Sequence, residues 1–350
     1  SGAALAAGCW RGPEAVSGLP PARRWRRVAR LRRAVVAQRA AATAGAAADN
    51  DAVVFVKPHA CTPATLELVP RTLEERGVSV VRSGSVTAAE IESGGIIDAH
   101  YAAIARVGMS RDIRALGLGA AEAAKFLAGY GRELEEALAA GAVYSAATAM
   151  EALDVDPSEL LSRCLAAGYE KLGSGLYCAK LEGRTGATAP EIYVLNGFYA
   201  RMREKFTASG VVVHWFQVRF DEKELPWATF RQEVIGSTNP PDAAAGSLRA
   251  LIRDGWQDLG LKEETNYQDN GVHASAGPLE ALRERTIWLG QDPEADPFAV
   301  ALAAAGGPPV RELIENPEID LGGERGSAFD LLEDVDSSAA LERLASCKLA

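Results

Sequence analysis

The chain has 350 residues, of which 48% are hydrophobic, and its formal net charge is −10 at pH 7. This length suffices for one large domain or two ordinary ones, and the acidic balance disfavours nucleic acid as the main partner. No apolar run approaches the roughly 18–20 residues that a transmembrane helix needs, so we expect no membrane span. Five scattered cysteines without a C-x-x-C pair argue against structural zinc or a disulfide framework, and they fit a reducing intracellular compartment.

Residues 1–50 form a basic segment rich in alanine and arginine. Residues 1–47 contain nine arginines and one acidic residue, Glu14. This composition is typical of an organelle targeting peptide, but a solvated basic arm or a short amphipathic helix explains it equally well. The compartment therefore stays open between cytoplasm or cilium and an organelle, either mitochondrion or plastid.

The next part of the chain alternates strands and helices. Val53–Val56 is a short apolar run that predicts a buried strand. Thr62-Pro63 predicts a helix start, with threonine as N-cap and proline in the first turn. A second strand is expected over Val78–Val86, and one or more helices over residues 88–105.

Residues 108–190 have a different character, because they are rich in alanine and largely helical in pattern. Helices are expected over residues 120–127 and 133–140, and Asp156-Pro157 is a good helix start. A further strand is expected over Leu176–Leu181. We interpret this segment as a large, mostly helical insertion, which forms a lid, a homo-oligomer contact or a surface for an assembly partner.

Regular alternation resumes after the insertion. We expect helices over 197–206, 222–234 and 278–289, a strand over Val211–Val218, and a short strand that leads into His273. Residues 291–350 are acidic and punctuated by proline and glycine, and we interpret them as a C-terminal extension that packs on the body or is partly mobile. The predicted fold is α+β: a ferredoxin-like βαββαβ antiparallel sheet with helices on its faces, carrying the insertion.

Five separated fragments resemble the nucleoside diphosphate kinase family, in the order that the family has them. They are Lys57-Pro58, His100-Tyr101, the loop Val234–Pro240 followed by Arg249, the segment Asn270–Ser275, and Glu284 with Trp288. The resemblance covers about residues 51–105 and 195–290, so it implies a kinase-like domain over residues 51–290 that the insertion at about 108–190 interrupts.

The resemblance implies a phosphotransferase that moves a γ-phosphate from a nucleoside triphosphate to a nucleoside diphosphate, by a ping-pong route through phospho-His273. Glu284 would orient the imidazole, and Ser275 would complete the hydrogen-bonding set. Mg²⁺ bound to ATP or another nucleoside triphosphate is implied, with no protein metal ligand. The implied nucleotide and phosphate contacts come from Lys57, Tyr101, Phe198, Tyr199, Thr238, Arg249 and Asn270, with Phe198 or Tyr199 stacking on the base.

The chemistry of the residue types agrees with this interpretation. Histidine, with an ordinary pKa of about 6.5, is largely neutral and nucleophilic at pH 7. A covalent intermediate on the enzyme splits one difficult transfer into two easier steps. Transfer of a phosphoryl group depends mostly on positioning and electrostatics, which Lys57 and Arg249 can supply.

Each of these residues also has an ordinary explanation when taken alone. A single histidine on a strand, such as His273, is more often a core residue, and Lys57 alone would be a surface cation. His59, His100 and His214 have no metal-ligand spacing, so we expect them to be structural.

Departures from the family pattern support a second hypothesis. Gln232 stands where the family usually has a phosphate-binding arginine, with Arg231 next to it, and Ala274 and Ala276 replace a glycine and an acidic residue. Residues 250–269 form a longer link than usual. These changes favour a catalytically weak or inactive nucleotide-binding or scaffold protein within a larger assembly.

Overall fold

A computed structural model describes residues 49–183 and 190–349. The predicted basic N-terminal segment therefore lies outside the described residues, apart from its last two positions. In the described residues, helices combine with sheets of largely antiparallel strands, so the predicted α+β class is confirmed. None of the described helices has the length and apolar character that a membrane crossing requires.

The strands fall into three separate sheets. Their bounds are β1 (Asp49–Val56), β2 (Ser79–Thr87), β3 (Val143–Ser145), β4 (Glu170–Gly173), β5 (Leu176–Glu182), β6 (Glu191–Leu195), β7 (Val212–Asp221), β8 (Val272–Ala274), β9 (Glu318–Leu321), β10 (Glu324–Ser327) and β11 (Lys348–Leu349).

The α-helices are mostly short. Their bounds are α1 (Pro63–Glu75), α2 (Ala88–Ser93), α3 (Ile96–His100), α4 (Ala102–Gly108), α5 (Ala120–Tyr130), α6 (Leu134–Ala139), α7 (Ala146–Leu153), α8 (Pro157–Ala167), α9 (Tyr199–Thr207), α10 (Trp227–Thr229), α11 (Leu248–Asp254), α12 (Pro278–Leu289), α13 (Pro297–Ala304), α14 (Val310–Leu313), α15 (Ala328–Leu331) and α16 (Ser337–Ala345). A π-helical turn, Phe230–Ile235, continues α10.

The first sheet has the strand order β2-β7-β1-β8, and all its neighbouring strands are antiparallel. Successive side chains of β1 point to opposite faces of this sheet. Val54 packs with α1 residues such as Leu73 on one face, while Phe55 packs with Ile91 and Trp288 on the other. Both faces are therefore covered, which explains why the run Val53–Val56 is fully buried, as its apolar pattern predicts.

Local signals set several helix boundaries. The Thr62 side chain accepts a hydrogen bond from the Thr65 backbone N–H, with Pro63 in the first turn, as predicted. Helix α12 has the predicted bounds, Pro278–Leu289. The helix expected over 222–234 is wrong at its start, because the strand β7 and a turn run to Pro226 and the helix begins only at Trp227.

Residues 108–190 are not simply a helical segment. Helices α5 to α8 are present, but β3, β4 and β5 pair with β6 into a sheet of order β3-β6-β5-β4. A separate apolar core, including Phe126, Leu160 and Tyr193, fills this unit. The expectation of a mostly helical insertion is therefore incomplete, since a strand such as β3 has only three residues and depends on partners distant in the chain.

The C-terminal extension forms an ordered unit that packs on the body. Strands β9, β10 and β11 form a small sheet, and the apolar core beneath it includes Leu279 and Leu282 of α12. The Asn50 side chain accepts hydrogen bonds from the backbone and hydroxyl of Ser337. These contacts fix the extension next to the start of α12.

Candidate functional site

His273 lies at the middle of β8, on the edge of the first sheet. The residue opposite in β1 is Phe55, and the two rings stack with centroids 4.6 Å apart. The His273 side chain keeps 17% of its surface exposed. A histidine at this place is therefore held on one side by an apolar ring and stays reachable from solvent.

Glu284 on α12 joins His273 and Ser275 into one hydrogen-bonded chain. The His273 Nε2 atom lies 2.5 Å from Glu284 Oε1, and the Ser275 hydroxyl donates to Glu284 Oε2 at 2.5 Å. The Ser275 oxygen also accepts from the Val53 backbone N–H, so the serine is fixed by β1. The structure thus brings together the three residues predicted as catalytic.

Burial disfavours the charged forms of the His273 imidazole and the Glu284 carboxyl. The pKa of His273 is lowered to about 3, mainly by desolvation. Glu280 opposes this shift, and the nearby cations Lys57, Arg249 and Arg231 add to it. Desolvation also raises the pKa of the Glu284 carboxyl to about 7. The imidazole is consequently neutral at pH 7, which is the form that can act as a nucleophile.

His100 lies next to His273 and Glu284, although the expectation that it is structural stays a prediction. It ends α3, and its Nδ1 atom lies 3.6 Å from Glu284 Oε1. Its ring meets the His273 ring edge-on at 4.7 Å, and Trp288 Nε1 donates to its Nδ1 at 3.3 Å. The only sequence signal for this position was the His-Tyr pair in the family resemblance.

Lys57 follows β1 directly and lies close to the link formed by residues 250–269. Its ammonium donates to the Gln268 carbonyl at 3.1 Å. Burial, with help from Arg249, lowers the pKa of Lys57 to about 8. An ion pair of 2.7 Å between Lys205 and Asp269 holds the end of this link in place.

Arg249 on α11 connects the loop after the π turn to strand β8, which carries His273. It donates to the Gly236 carbonyl at 2.8 Å and to the Val272 carbonyl at 3.0 Å. Burial lowers its pKa to about 10, with Arg231 as the next cause. A guanidinium with two backbone carbonyls as partners positions the loop and the strand relative to each other.

Asn270 and Thr238 lie on the same side of the site. The buried Asn270 amide donates to the Thr238 carbonyl at 2.9 Å, while Thr238 itself is exposed. The Asn270 Oδ1 atom is buried and has no hydrogen-bond partner among the described residues. A buried acceptor of this kind is costly unless a ligand supplies a donor.

The π turn changes the position of Arg231 relative to the site. The Gly236 backbone N–H donates to the Arg231 carbonyl, five residues earlier, so Arg231 takes the place that position 232 would have in an α-helix. Gln232 is accordingly exposed, while Arg231 is half-buried and contributes to the lowered pKa of His273.

The C-terminal extension neutralises this arginine. Glu333 lies 2.8 Å and Asp334 lies 2.7 Å from Arg231 Nη1. The Asp334 backbone N–H also donates to the Ala276 carbonyl, next to the serine of the site. The guanidinium of Arg231, which acts on the pKa of His273, is therefore held by two carboxylates.

The predicted aromatic contacts are only partly available. Tyr199 is fully buried and its hydroxyl donates to Asp98 at 2.6 Å, so the expectation that it stacks on a base is wrong. Phe198 is half-buried and packs edge-on against Tyr177 at 5.8 Å. Tyr101 packs on the His100 ring at 4.5 Å, and burial raises its pKa.

Comparison with known proteins shows a sequence similarity that covers part of the chain. The chain is 28% identical over 127 residues to a nucleoside diphosphate kinase of Ruegeria sp. (strain TM1040), which covers 35% of this chain and 79% of that protein. No protein-family model matches the chain. The sequence match agrees with the resemblance that the motifs indicate.

Three solved structures have a weaker similarity. A nucleoside diphosphate kinase from Encephalitozoon cuniculi is 14% identical, with a TM-score of 0.33 over 69% of this chain and 90% of that chain. A nucleoside diphosphate kinase family protein from Babesia bovis is 12% identical, with a TM-score of 0.31 over 68% of this chain and 87% of that chain. An NDP kinase from Pyrobaculum aerophilum is 16% identical, with a TM-score of 0.30 over 69% of this chain and 95% of that chain. TM-scores this low do not establish a common fold, so the sequence match carries the relationship.

Proposed function

We propose that this divergent relative of the nucleoside diphosphate kinases transfers the γ-phosphate of a nucleoside triphosphate to a nucleoside diphosphate through phospho-His273. The proposal rests on the hydrogen bonds that join His273, Glu284 and Ser275. His273 Nε2 lies 2.5 Å from Glu284 Oε1, and the Ser275 hydroxyl donates to Glu284 Oε2 at 2.5 Å. Because Glu284 engages Nε2, Nδ1 is the ring nitrogen that attacks phosphorus. Burial keeps that ring neutral.

The reaction has two half-steps of the same kind. The Nδ1 lone pair of His273 forms a bond to the γ-phosphorus while the bond from that phosphorus to the β,γ-bridging oxygen breaks, and the diphosphate leaves. A terminal oxygen of a second diphosphate then attacks, and the N–P bond breaks. The imidazole gains positive charge when phosphorylated, and the Glu284 carboxylate accepts the Nε2–H and stabilises that charge.

Three cations support the transferring phosphoryl group. Lys57, Arg249 and Arg231 all act electrostatically on His273, since each lowers its pKa. In the transition state the same cations offset negative charge on the phosphoryl oxygens. The unpartnered Asn270 Oδ1 is suited to accept a hydrogen bond from a sugar hydroxyl.

Magnesium takes part in this scheme only as a component of the magnesium–nucleotide substrate. Mg²⁺ prefers oxygen ligands in octahedral geometry. The ligand-type residues gathered at His273 include two imidazoles, His100 and His273 itself, which suit other metals better. The phosphate oxygens of the nucleotide are therefore its ligands, and we assign it no protein residue.

The domain organisation belongs to the same proposal. We assign residues 51–290 to a kinase-like domain of ferredoxin-like βαββαβ arrangement, interrupted by an insertion at about 108–190 and followed by the extension 291–350. The strand order β2-β7-β1-β8 supports this assignment, and so does the separate core of the second sheet.

One observation favours the second candidate, a nucleotide-binding scaffold with little or no turnover. All three cations already have protein partners: Lys57 contacts the Gln268 carbonyl, Arg249 contacts two backbone carbonyls, and Arg231 contacts acidic side chains. A substrate phosphate has to displace some of these partners, which lowers its affinity and slows transfer.

Incubation of the full chain with γ-labelled ATP separates the two candidates. We expect acid-labile, base-stable label on the protein, its absence in His273→Ala, its retention in the control His214→Ala, and its removal by GDP. His214 is a suitable control because it lies on β7 and its Nδ1 is hydrogen-bonded to Ser85. Binding of ATP without label in the wild type would favour the scaffold and refute the kinase.

A further inference from the structure

Three side chains of metal-ligating type, two of them from the site itself, lie close together. No spacing of residues in the sequence predicts this cluster. One ligand atom from each of His100, His273 and Glu284 lies within 4.8 Å of the others. Both imidazoles approach the same carboxylate oxygen, with His273 Nε2 at 2.5 Å and His100 Nδ1 at 3.6 Å from Glu284 Oε1. The donors come from α3, β8 and α12, so only the tertiary structure assembles them.

We propose that this cluster is a site for a zinc-type divalent cation, with His100 Nδ1, His273 Nε2 and Glu284 Oε1 as protein ligands and water as the fourth. Two imidazoles and one carboxylate, with an open fourth position, form a donor set that tetrahedral zinc accepts. The His273 side chain keeps 17% of its surface exposed, so one of the three ligand residues is in contact with solvent.

Binding of zinc requires only a small change in the distances between the three ligand atoms. Zinc bonds of about 2.0–2.1 Å in a tetrahedron separate the ligand atoms by about 3.3 Å. The observed 3.6 Å between His100 and Glu284 is already near this value. The 2.5 Å between His273 and Glu284 has to open, which a rotation of the ring or the carboxylate achieves.

The surroundings of the cluster favour a cation. Both imidazole nitrogens face the same carboxylate oxygen of Glu284, so the three donor atoms converge on one point. The Ser275 hydroxyl donates to the other oxygen of Glu284, which orients the carboxylate. One contact opposes binding, because the Trp288 indole N–H donates to His100 Nδ1 at 3.3 Å and has to give up that bond.

A cation at this place would act as an inhibitor of the proposed phosphotransfer. It would replace the His273–Glu284 contact at Nε2, and the ring proton would move to Nδ1, so Nδ1 would have no lone pair with which to attack phosphorus. This consequence rests on the proposed function, whereas cation binding itself does not.

Binding is tested on the full chain, with Co²⁺ as the spectroscopic probe. The affinity for Zn²⁺ is then measured by calorimetry and by competition with bound Co²⁺. We expect one equivalent with the visible absorption of tetrahedral cobalt, and no charge-transfer band from a cysteine thiolate. His100→Asn should weaken binding by at least about 10²-fold, since even outer partners of metal ligands contribute 10–100-fold. The matched control His214→Asn removes another imidazole and should bind as the wild type does.

Equal binding by His100→Asn and the wild type, a thiolate band, or no binding by the wild type would overturn the site. Trp288→Phe gives an independent test if His100→Asn does not fold. It removes the competing N–H, so its affinity for Zn²⁺ should equal or exceed that of the wild type, and weaker binding by the folded variant would contradict the geometry. If Zn²⁺ binds as expected but ATP leaves no label on His273, the cation site stands and the proposed kinase activity fails.

Discussion

Replacement of Arg231 by glutamine tests whether the π turn has moved the phosphate-binding arginine by one position. Arg231 is half-buried and acts on the pKa of His273, whereas Gln232 is exposed. We therefore expect Arg231→Gln to weaken binding of ADP, and the matched control Gln232→Ala to leave it unchanged.

The expected magnitude follows from the partners of the guanidinium. A hydrogen bond between charged groups contributes about 1.5–3 kcal/mol. The phosphate has to displace Glu333 and Asp334, whose side chains are 48% and 37% exposed, and such solvent-screened pairs contribute about 0.2–1 kcal/mol each. The net loss is about 1–2 kcal/mol, which corresponds to roughly a 5- to 30-fold higher Kd.

Isothermal titration calorimetry with ADP measures this difference, and circular dichroism checks that both variants fold. An equal loss for Gln232→Ala, or an unchanged Kd for Arg231→Gln, would refute the argument from the π turn. The phosphate contacts would then come from other groups, and the ion pairs of Arg231 would serve only to hold the extension.

Three further predictions concern the same site. In E333Q/D334N the Arg231 guanidinium loses two solvent-screened ion pairs, so ADP should bind about 2- to 25-fold more tightly. Calorimetry measures this affinity, and an unchanged value would mean that the ion pairs do not compete with phosphate. Glu284→Gln should slow labelling by ATP by about 10²-fold, as expected for a misoriented nucleophile, and an unchanged labelling rate would remove its orienting role. Because the pKa of Lys57 is lowered to about 8, its charge is present at pH 7 and lost as the pH rises past 8, so ADP affinity should fall above pH 8 in the wild type but not in Lys57→Arg.

The elements with clear local signals follow from the sequence. The apolar run Val53–Val56 lies in β1, and Thr62 caps α1. Helix α12 runs from Pro278 to Leu289, as its pattern predicts. These signals act over a few residues, through side-chain periodicity and hydrogen bonds to nearby backbone, and they are visible in one chain without knowledge of the fold.

The second sheet and the π turn could not be predicted in this way. Strand β3 has three residues and pairs with β6, some fifty residues later, so its pattern carries almost no local signal. The turn at Phe230–Ile235 inserts one residue into an otherwise helical pattern, which changes the side of the helix on which Arg231 lies.

The sequence by itself determined which residues form the proposed hydrogen-bonded set, because His273 lies on a short strand, Ser275 directly follows this strand and Glu284 lies on the next helix. Only the tertiary structure decided that Nε2 is the nitrogen held by Glu284, that His100 joins the site, and that Arg231 faces two carboxylates. The physical reason is that hydrogen bonds and Coulomb interactions depend on distance and direction in space. His100 and the carboxylates of Arg231 come from segments about a hundred or more residues away from their partners, and the ring nitrogen that faces Glu284 depends on how the helix packs on the strand.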